Sequence, residues 1–410
     1  MLDTALAGEL AATELAEGFV RPDYDGFCFS RVPATAASML DADLGATLPD
    51  RALDGVDGRA EHVLVLFVDA LGFRQFERVH GDVSLLRSFV DAGRVTPLTS
   101  TYPSETAACV TTMHTGRDPV EHGLLGWNGY DPVGDTVYET LPYAAKDDGN
   151  VSVSPGELFD GDPIYDRLGQ AGVDSHVVEP DYGTGYDDGA LVGATTHHYE
   201  RATEFALAVR DVLRSADAPS YTYAYYPTVD AVAHERGPDS ELYGAQVAAV
   251  CDALERALGT LDDDVAEETA VCLVADHGQV PIRDADRTEL DATGVLEYVP
   301  ADCSGTPLVL GGPRNVHLRV TDEEAARACL SDCDALVLSR QEALAERLWG
   351  RGEPGPAFER NSGDLVVVPR EGGLWYADEA EQLSLAGMHG GLHPDEALVP
   401  FGVARLDDLV

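Results

Sequence analysis

The sequence predicts an α/β fold: a largely parallel sheet flanked by helices, carrying a small inserted α+β cap subdomain. Two observations predict it. Short apolar runs containing β-branched residues alternate with helix-length stretches over most of the chain, as in strands buried on both faces and joined by crossover helices. Between residues 281 and 377 that rhythm gives way to a Gly- and Pro-rich stretch, and it then resumes. The expected division is a discontinuous core, 1–280 with 378–410, and a cap at 281–377. A chain of 410 residues is long enough for one such domain or for two to three smaller ones.

The elements follow in order. Residues 62–67 (HVLVLF) form an almost wholly apolar run, the mark of a central strand. A helical pattern over 73–90 comes next, then a short extended piece at 95–98 and a helix of small residues at 106–114. Strands at 173–178, 221–226 and 270–275 (AVCLVA) alternate with helices at 200–215 and 241–258. In the cap, strands are expected at 316–320 and 364–368, and acidic helices at 322–330 and 341–348. Residues 398–406 return to the core. In sheets of this kind reactive groups gather beyond the carboxyl ends of the strands.

Composition narrows the function. There are 73 Asp plus Glu against 27 Lys plus Arg, a formal charge of −46, while 44% of residues are hydrophobic. The chain is therefore folded rather than a disordered polyanion. Lys146 is its only lysine. Such a surface repels nucleic acid polymers and anionic membranes, and it suits a halophilic setting, where strong salt screens self-repulsion. The seven cysteines are scattered with no CxxC pair, which argues against a disulfide framework or a zinc–thiolate site. The first residues lack the basic start of a secretory signal, and the apolar runs fall short of a membrane span. Cytoplasmic is the expected location; oligomeric state is left open.

Five segments carry chemistry. Asp69 ends the first buried strand, and Thr106 opens a small-residue helix. Asp230 and His234 stand four apart, on one helical face. Asp276 and His277 end the apolar strand at 270–275 and precede Gly278, and His389 lies among glycines in GMHGGLHP. Singly, each has an ordinary reading as a helix cap, surface pair or turn. Together they supply three Asp, three His and a hydroxyl, a ligand set for two divalent cations bridging a transferred phosphoryl group.

In order and spacing these segments resemble the alkaline phosphatase superfamily, and within it the type I phosphodiesterase/nucleotide pyrophosphatase branch. Thr106 stands nine residues before Thr115-Gly116, where that branch has its nucleophile; D-x-x-x-H, D-H-G and G-x-H-G follow in order. The match covers roughly 60–280 and 385–402. The resemblance implies an alkaline-phosphatase-like core and a metal-dependent hydrolase of small phosphodiesters or nucleotide pyrophosphates, acting through a phospho-threonine type intermediate. It implies that Asp69, Thr106, Asp276 and His277 hold one metal and Asp230, His234 and His389 the other. Three histidines favour zinc, with manganese possible. Thr101 imitates a family motif but lies fourteen residues before Thr115, so Thr106 is taken as nucleophile. The phosphate-oxygen donor falls on Asn128, one residue beyond the family spacing. His122 and His393 read as structural or rim residues. Trp127, Tyr130 and Tyr102 flank the phosphate site in sequence and can stack a base. The cap is expected to build most of the substrate pocket, with Arg283, Arg287, Arg314 and His317 its most suggestive groups, although pairing with the abundant surface acids is the stronger reading of all four. The alternatives are a phosphomonoesterase or phosphonate hydrolase on the same metals, or an inactive binding member.

Overall fold

The computed structural model describes residues 1–410 apart from 57, 147–148, 184 and 377–383. The expected return from cap to core at 377–378 lies outside the described residues.

The larger sheet has seven strands, in the order Arg94–Thr99, Leu398–Arg405, Thr269–Val274, His62–Val68, Ser220–Tyr226, Asp174–Pro180, Thr195–Tyr199. Thr269–Val274, His62–Val68, Ser220–Tyr226, Asp174–Pro180 and Thr195–Tyr199 run parallel, each to the next. Leu398–Arg405 is antiparallel to both its neighbours. The sheet is thus largely parallel, as expected. Alternation along the strands divides the core in two. Val63, Val65 and Phe67 pack with Ala107, Val110 and Met113 of the helix Thr106–Thr115. Leu64, Leu66 and Val68 face the helices Ala202–Ser215 and Glu241–Leu258 on the other side.

The structure departs from the sequence reading in definable ways. The helix predicted over 73–90 is two, Phe73–Val79 and Ser84–Asp91, broken around Gly81 and Asp82, both weak helix formers. The edge strand Thr195–Tyr199 is mostly polar and exposed, so no apolar run announces it. The N-terminal helix Thr4–Ala11 is capped by the Asp3 carboxylate, which accepts from the Leu6 amide at 3.1 Å.

A second seven-stranded sheet is built from two parts of the chain. Its order is Ala335–Ser339, Leu365–Pro369, Asn315–Leu318, Val309–Gly312, Asn128–Asp131, Thr136–Glu139, Ala144–Ala145. Four strands come from the 281–377 stretch, and three from the segment that follows the Thr106 helix. The halves join where Asn128 pairs with Gly311.

One ion pair ties this sheet to the end of the chain. Arg314 Nη2 and Nε donate to Glu396 Oε1 and Oε2 at 2.6 and 2.7 Å, and both side chains are fully buried. Arg314 also donates to the carbonyls of Gly372 and Pro369, while Glu396 Oε1 accepts from the His393 amide at 2.9 Å. Both charges are therefore surrounded by partners, which is what a buried pair requires. Removing one leaves the other charge stranded. Arg314→Ala should cost about 3–5 kcal/mol of stability; denaturant unfolding in molar KCl checks this, and a loss under about 1 kcal/mol contradicts it.

Candidate active site

Each site residue is placed by a buried element whose register is set elsewhere. Asp69 lies one residue past His62–Val68 and stays in the sheet, its amide donating to Tyr226 O at 3.1 Å. The chain then turns through Ala70 at φ 60°, left-handed backbone that costs an alanine roughly 1–2 kcal/mol. The turn directs the Ala70 amide to Asp276 Oδ1, 3.3 Å away. Asp276 and His277 follow the neighbouring strand Thr269–Val274. Gly278 comes next because a Cβ there would sit 2.1 Å from Asp395 O. Thr106 begins the helix that ends at left-handed Gly116. Asp230 and His234 share one face of the helix Thr228–Arg236, which continues from Ser220–Tyr226. His389 arrives because Gly387–Met388 pairs antiparallel with Val280–Pro281, just beyond His277.

These seven residues converge. His277 Nε2 lies 3.1 Å from Thr106 Oγ1, 3.4 Å from Asp69 Oδ1 and 3.2 Å from Asp276 Oδ2. His234 Nε2 lies 3.3 Å from Asp230 Oδ2 and 3.2 Å from His389 Nε2. His389 Nε2 is 3.7 Å from Asp230 Oδ1, and the His277 and His389 rings stack at 3.5 Å.

The far side of every group is spoken for. Backbone carbonyls of Gly278, Gly387 and Ser104 stand 3.0, 2.8 and 3.2 Å from Nδ1 of His277, His234 and His389. Each Nδ1 therefore carries the proton, and the three Nε2 lone pairs turn toward the centre. Tyr225 donates to Asp69 Oδ2 at 2.5 Å, and Gln279 to Asp230 Oδ1 at 2.5 Å. Asp69 Oδ1 and Asp276 Oδ2 are buried and have no hydrogen-bond partner. Lone pairs thus face lone pairs, an arrangement that only cations stabilise.

The acid–base balance reports the same crowding. Burial, then the charges of Asp276 and Asp230, push the Asp69 carboxyl well above its usual range. Burial alone would raise Asp230 too, but His234, His389 and His277 outweigh it and hold that carboxyl low. Burial tends to lower His277 and His234; Asp276 and Asp230 respectively overcome it, and both histidines are held above their ordinary value. Burial and then the charge of His277 push His389 well below. Among the described residues, Asp69, Asp276 and His277 can hold one cation and Asp230, His277 and His389 another, the ligand atoms of each group lying within 4.8 Å of one another. His234 reaches the second group through Asp230 and His389.

The cluster lies on the wall of a cavity of about 700 Å³. Asn128 lines it, buried, with Oδ1 unpartnered. Trp127 lines it as well. Tyr102 and Tyr130 do not: Tyr102 packs on Trp349, and Tyr130 donates to Asp135 beneath Arg319. Thr101 spends its hydroxyl on Pro103 O and Cys109 Sγ. His122 is buried between Thr112 and the Leu124 amide, and burial pushes it down to about 3. His393 caps the short helix Pro394–Ala397.

The expectation that the cap builds most of the pocket is corrected. Among the described residues of 281–377, only Gly312 and Pro313 line the cavity; the other described walls come from 69–234 and 385–389. Arg283 pairs with Asp286, Arg287 donates to Leu385 O, Arg314 is consumed by Glu396, and His317 is buried against Asn315. The stretch 281–377 spends these basic side chains on structural contacts, within itself and to the rest of the chain.

Four lining carboxylates were missed, Glu105, Glu139, Glu179 and Asp187, although signals for two of them exist. Glu105 is the only formally charged side chain between Arg94 and Arg117. Burial pushes its carboxyl up to about 7, against the Trp127 amide and Asn315, which favour the ionised form. Glu179 follows the buried pair Val177–Val178 one residue before the end of the strand Asp174–Pro180, a carboxylate near a strand's carboxyl end.

Known proteins resemble this chain in sequence and in fold. The family model for type I phosphodiesterase/nucleotide pyrophosphatase matches residues 63–392. An uncharacterized pyrophosphatase/phosphodiesterase of Schizosaccharomyces pombe is 26% identical over 238 residues, which is 54% of this chain and 45% of the relative. The chain thus spans less than half the length of that curated relative. Murine ectonucleotide pyrophosphatase/phosphodiesterase 5 is similar in fold, with TM-score 0.63 at 16% identity over 84% of this chain and 87% of that one. The human form gives 0.64 at 13%, with 84% and 87% covered. An inactive murine variant solved with AMP gives 0.63 at 15%, with 83% and 87% covered. Equilibrium dialysis against zinc or manganese should find about two ions per chain, and about one in Asp69→Ala; no uptake by the unmodified chain contradicts the assignment.

Proposed function

The chain belongs to the type I phosphodiesterase/nucleotide pyrophosphatase family, and on that premise we propose that it hydrolyses small phosphodiesters or nucleotide pyrophosphates, with Thr106 as nucleophile. The observation that carries this is the setting of Thr106 Oγ1: at the first turn of a helix, 3.1 Å from His277 Nε2, beside the two partnerless carboxylate oxygens. The proposed ligands are Asp69, Thr106, Asp276 and His277 for one cation and Asp230, His234 and His389 for the other. Zinc is favoured by the imidazoles and manganese is compatible with the carboxylates. Bound there, two divalent ions supply Lewis-acid stabilisation of the charge on the attacking and departing oxygens.

The chain's own groups do the rest. The free amides in the first turn of Thr106–Thr115 point at the phosphate oxygens and favour their negative charge. Asn128, which opens the strand Asn128–Asp131 and lines the same cavity, offers its amide to a phosphoryl oxygen. Thr106 Oγ1 attacks phosphorus in line with the leaving alcohol, a phospho- or nucleotidyl-threonine forms, and water then cleaves it. Among the described residues lining the cavity there is no lysine or arginine. A monoester dianion needs such cations and a diester monoanion does not, which supports the diester reading. The AMP complex of the structural relative supports a nucleotide as one substrate class.

Other features fit a small substrate in a salty cell interior. The acidic surface disfavours nucleic acid polymers. The seven cysteines are free thiols, five of them with pKa values raised chiefly by burial, consistent with a reducing, cytoplasmic setting. Among the described residues no helix is long and apolar enough to cross a membrane. We take 1–280 with 378–410 as the catalytic core and 281–377 as its cap, the strands at 128–145 completing the cap's sheet.

Kinetics in molar KCl test the reading. Thr106→Ala should lose about a thousandfold or more in kcat on bis-(p-nitrophenyl) phosphate, and Thr101→Ala about threefold at most. Full activity in Thr106→Ala sinks the nucleophile assignment. The unmodified chain should favour bis-(p-nitrophenyl) phosphate over p-nitrophenyl phosphate; the opposite preference by orders of magnitude points to a monoesterase.

A further inference from the structure

Outside the active-site cavity, a second group of metal-ligating side chains lies at the edge of the larger sheet. The strand Thr195–Tyr199 closes that edge, and of its residues only Tyr199 is buried. Its register on Asp174–Pro180 pairs Thr195 with His176 and His197 with Val178. His176 and His197 therefore project from one face of the sheet, at neighbouring positions on adjacent strands. Their ring centres are 5.3 Å apart, and His176 Nδ1 lies 3.1 Å from His197 Nε2. At the other side of its ring, His176 Nε2 donates to Asp174 Oδ2 at 2.8 Å. That bond keeps the proton on Nε2 and turns the Nδ1 lone pair toward His197. A carboxylate behind an imidazole whose far nitrogen is bare is the arrangement that orients histidine for a metal. His176 is buried, while His197 and Asp174 are partly exposed, so the pair is held in place and reached from solvent.

We propose that His176 Nδ1 and His197 Nε2 chelate one divalent transition-metal ion, copper(II) or nickel(II) ahead of zinc, and that this ion clamps the edge strand to its neighbour. With metal–nitrogen bonds of about 2.0–2.1 Å, the 3.1 Å separation subtends roughly 100° at the ion, close to the angle between two adjacent ligands of a tetragonal or tetrahedral site. Without an ion, His197 supplies the N–H between the two nitrogens. With one, its proton sits on Nδ1 and both inner lone pairs bind. Burial and then the charge of His176 hold His197 below its ordinary pKa, which keeps it in the neutral form that ligates. His198 projects from the opposite face and takes no part. Among the described residues no third histidine, cysteine or carboxylate converges on the pair, so water completes the shell. Two imidazoles with water bind more weakly than the active-site set, and their preference follows the general order of divalent ions, with copper at the top. The ion serves the fold, because the strand it grips buries a single side chain of its own.

The test uses the full chain, loaded with zinc, freed of excess and then titrated with copper(II) near neutral pH in molar KCl. Electron paramagnetic resonance follows the copper, and zinc is silent to it. The unmodified chain should take up one copper whose signal shows hyperfine coupling to two nitrogens. His197→Gln should weaken binding about tenfold or more and leave coupling to one nitrogen, and Asp174→Asn should weaken it about tenfold by freeing the His176 ring. His198→Gln, one residue along on the other face, should stay within about twofold of the unmodified chain. Copper should also raise the melting temperature of the unmodified chain and leave that of His197→Gln unmoved. His197 and Asp174 stand at the open edge of the sheet, so both variants keep the buried core intact. No copper uptake, a signal without nitrogen coupling, a signal unchanged in His197→Gln, or an equal loss in His198→Gln overturns the proposal.

Discussion

Three histidines, each with Nδ1 held by a backbone carbonyl, turn their remaining nitrogens into one cluster of carboxylates: His277 faces Asp69 Oδ1 and Asp276 Oδ2, which have no donor, and His234 and His389 face Asp230. Much of the structure around this cluster serves to keep these mutually repelling lone pairs in place. Tyr225 and the Ala70 amide satisfy the outer oxygens of Asp69 and Asp276, so each carboxylate has one oxygen free to turn inward. The left-handed turn at Ala70 and the close approach of Asp395 to Gly278 are local costs of that arrangement. They are tolerated because the strands before them lie in the middle of a buried sheet, where no alternative register is open.

Much of the core was legible in the sequence because it is governed by burial on both faces. The strands at 62–68, 220–226 and 269–274 read as apolar or aromatic runs, and the acids that end two of them stood out for interrupting those runs. The D-x-x-x-H spacing needed only helical periodicity. What escaped was set by tertiary context. Thr195–Tyr199 is a strand because Asp174–Pro180 offers it an edge, not because its residues are apolar. The strands at 128–145 belong to a sheet whose other half lies some 180 residues on, and no local pattern records that pairing. Arg314 reads in the sequence as a pocket candidate or, more readily, as a partner for surface acids. Its partner, Glu396, is 82 residues away and equally buried.

The pocket was misplaced for a related reason. Basic residues at 281–377 suggested a wall that meets phosphate, but each is spent on a carboxylate or a carbonyl. The wall is instead tyrosine and acid, drawn from the segments after two core strands. An acidic coat and an acidic pocket are different things. The coat faces solvent, where dissolved ions screen it. The pocket is enclosed, so its charges select among substrates by what stands in direct contact with them.

The position of Leu398–Arg405 has a consequence for how the molecule is made. This strand lies between Arg94–Thr99 and Thr269–Val274, and Arg94–Thr99 has no other partner strand in the sheet. During synthesis the larger sheet therefore stays split until residues near 400 emerge from the ribosome. His389 and the Glu396 that grips Arg314 emerge with them. Six of the seven clustered residues thus lie far ahead in the chain of the strand that closes the sheet around them, and the cluster is complete only once His389 joins them.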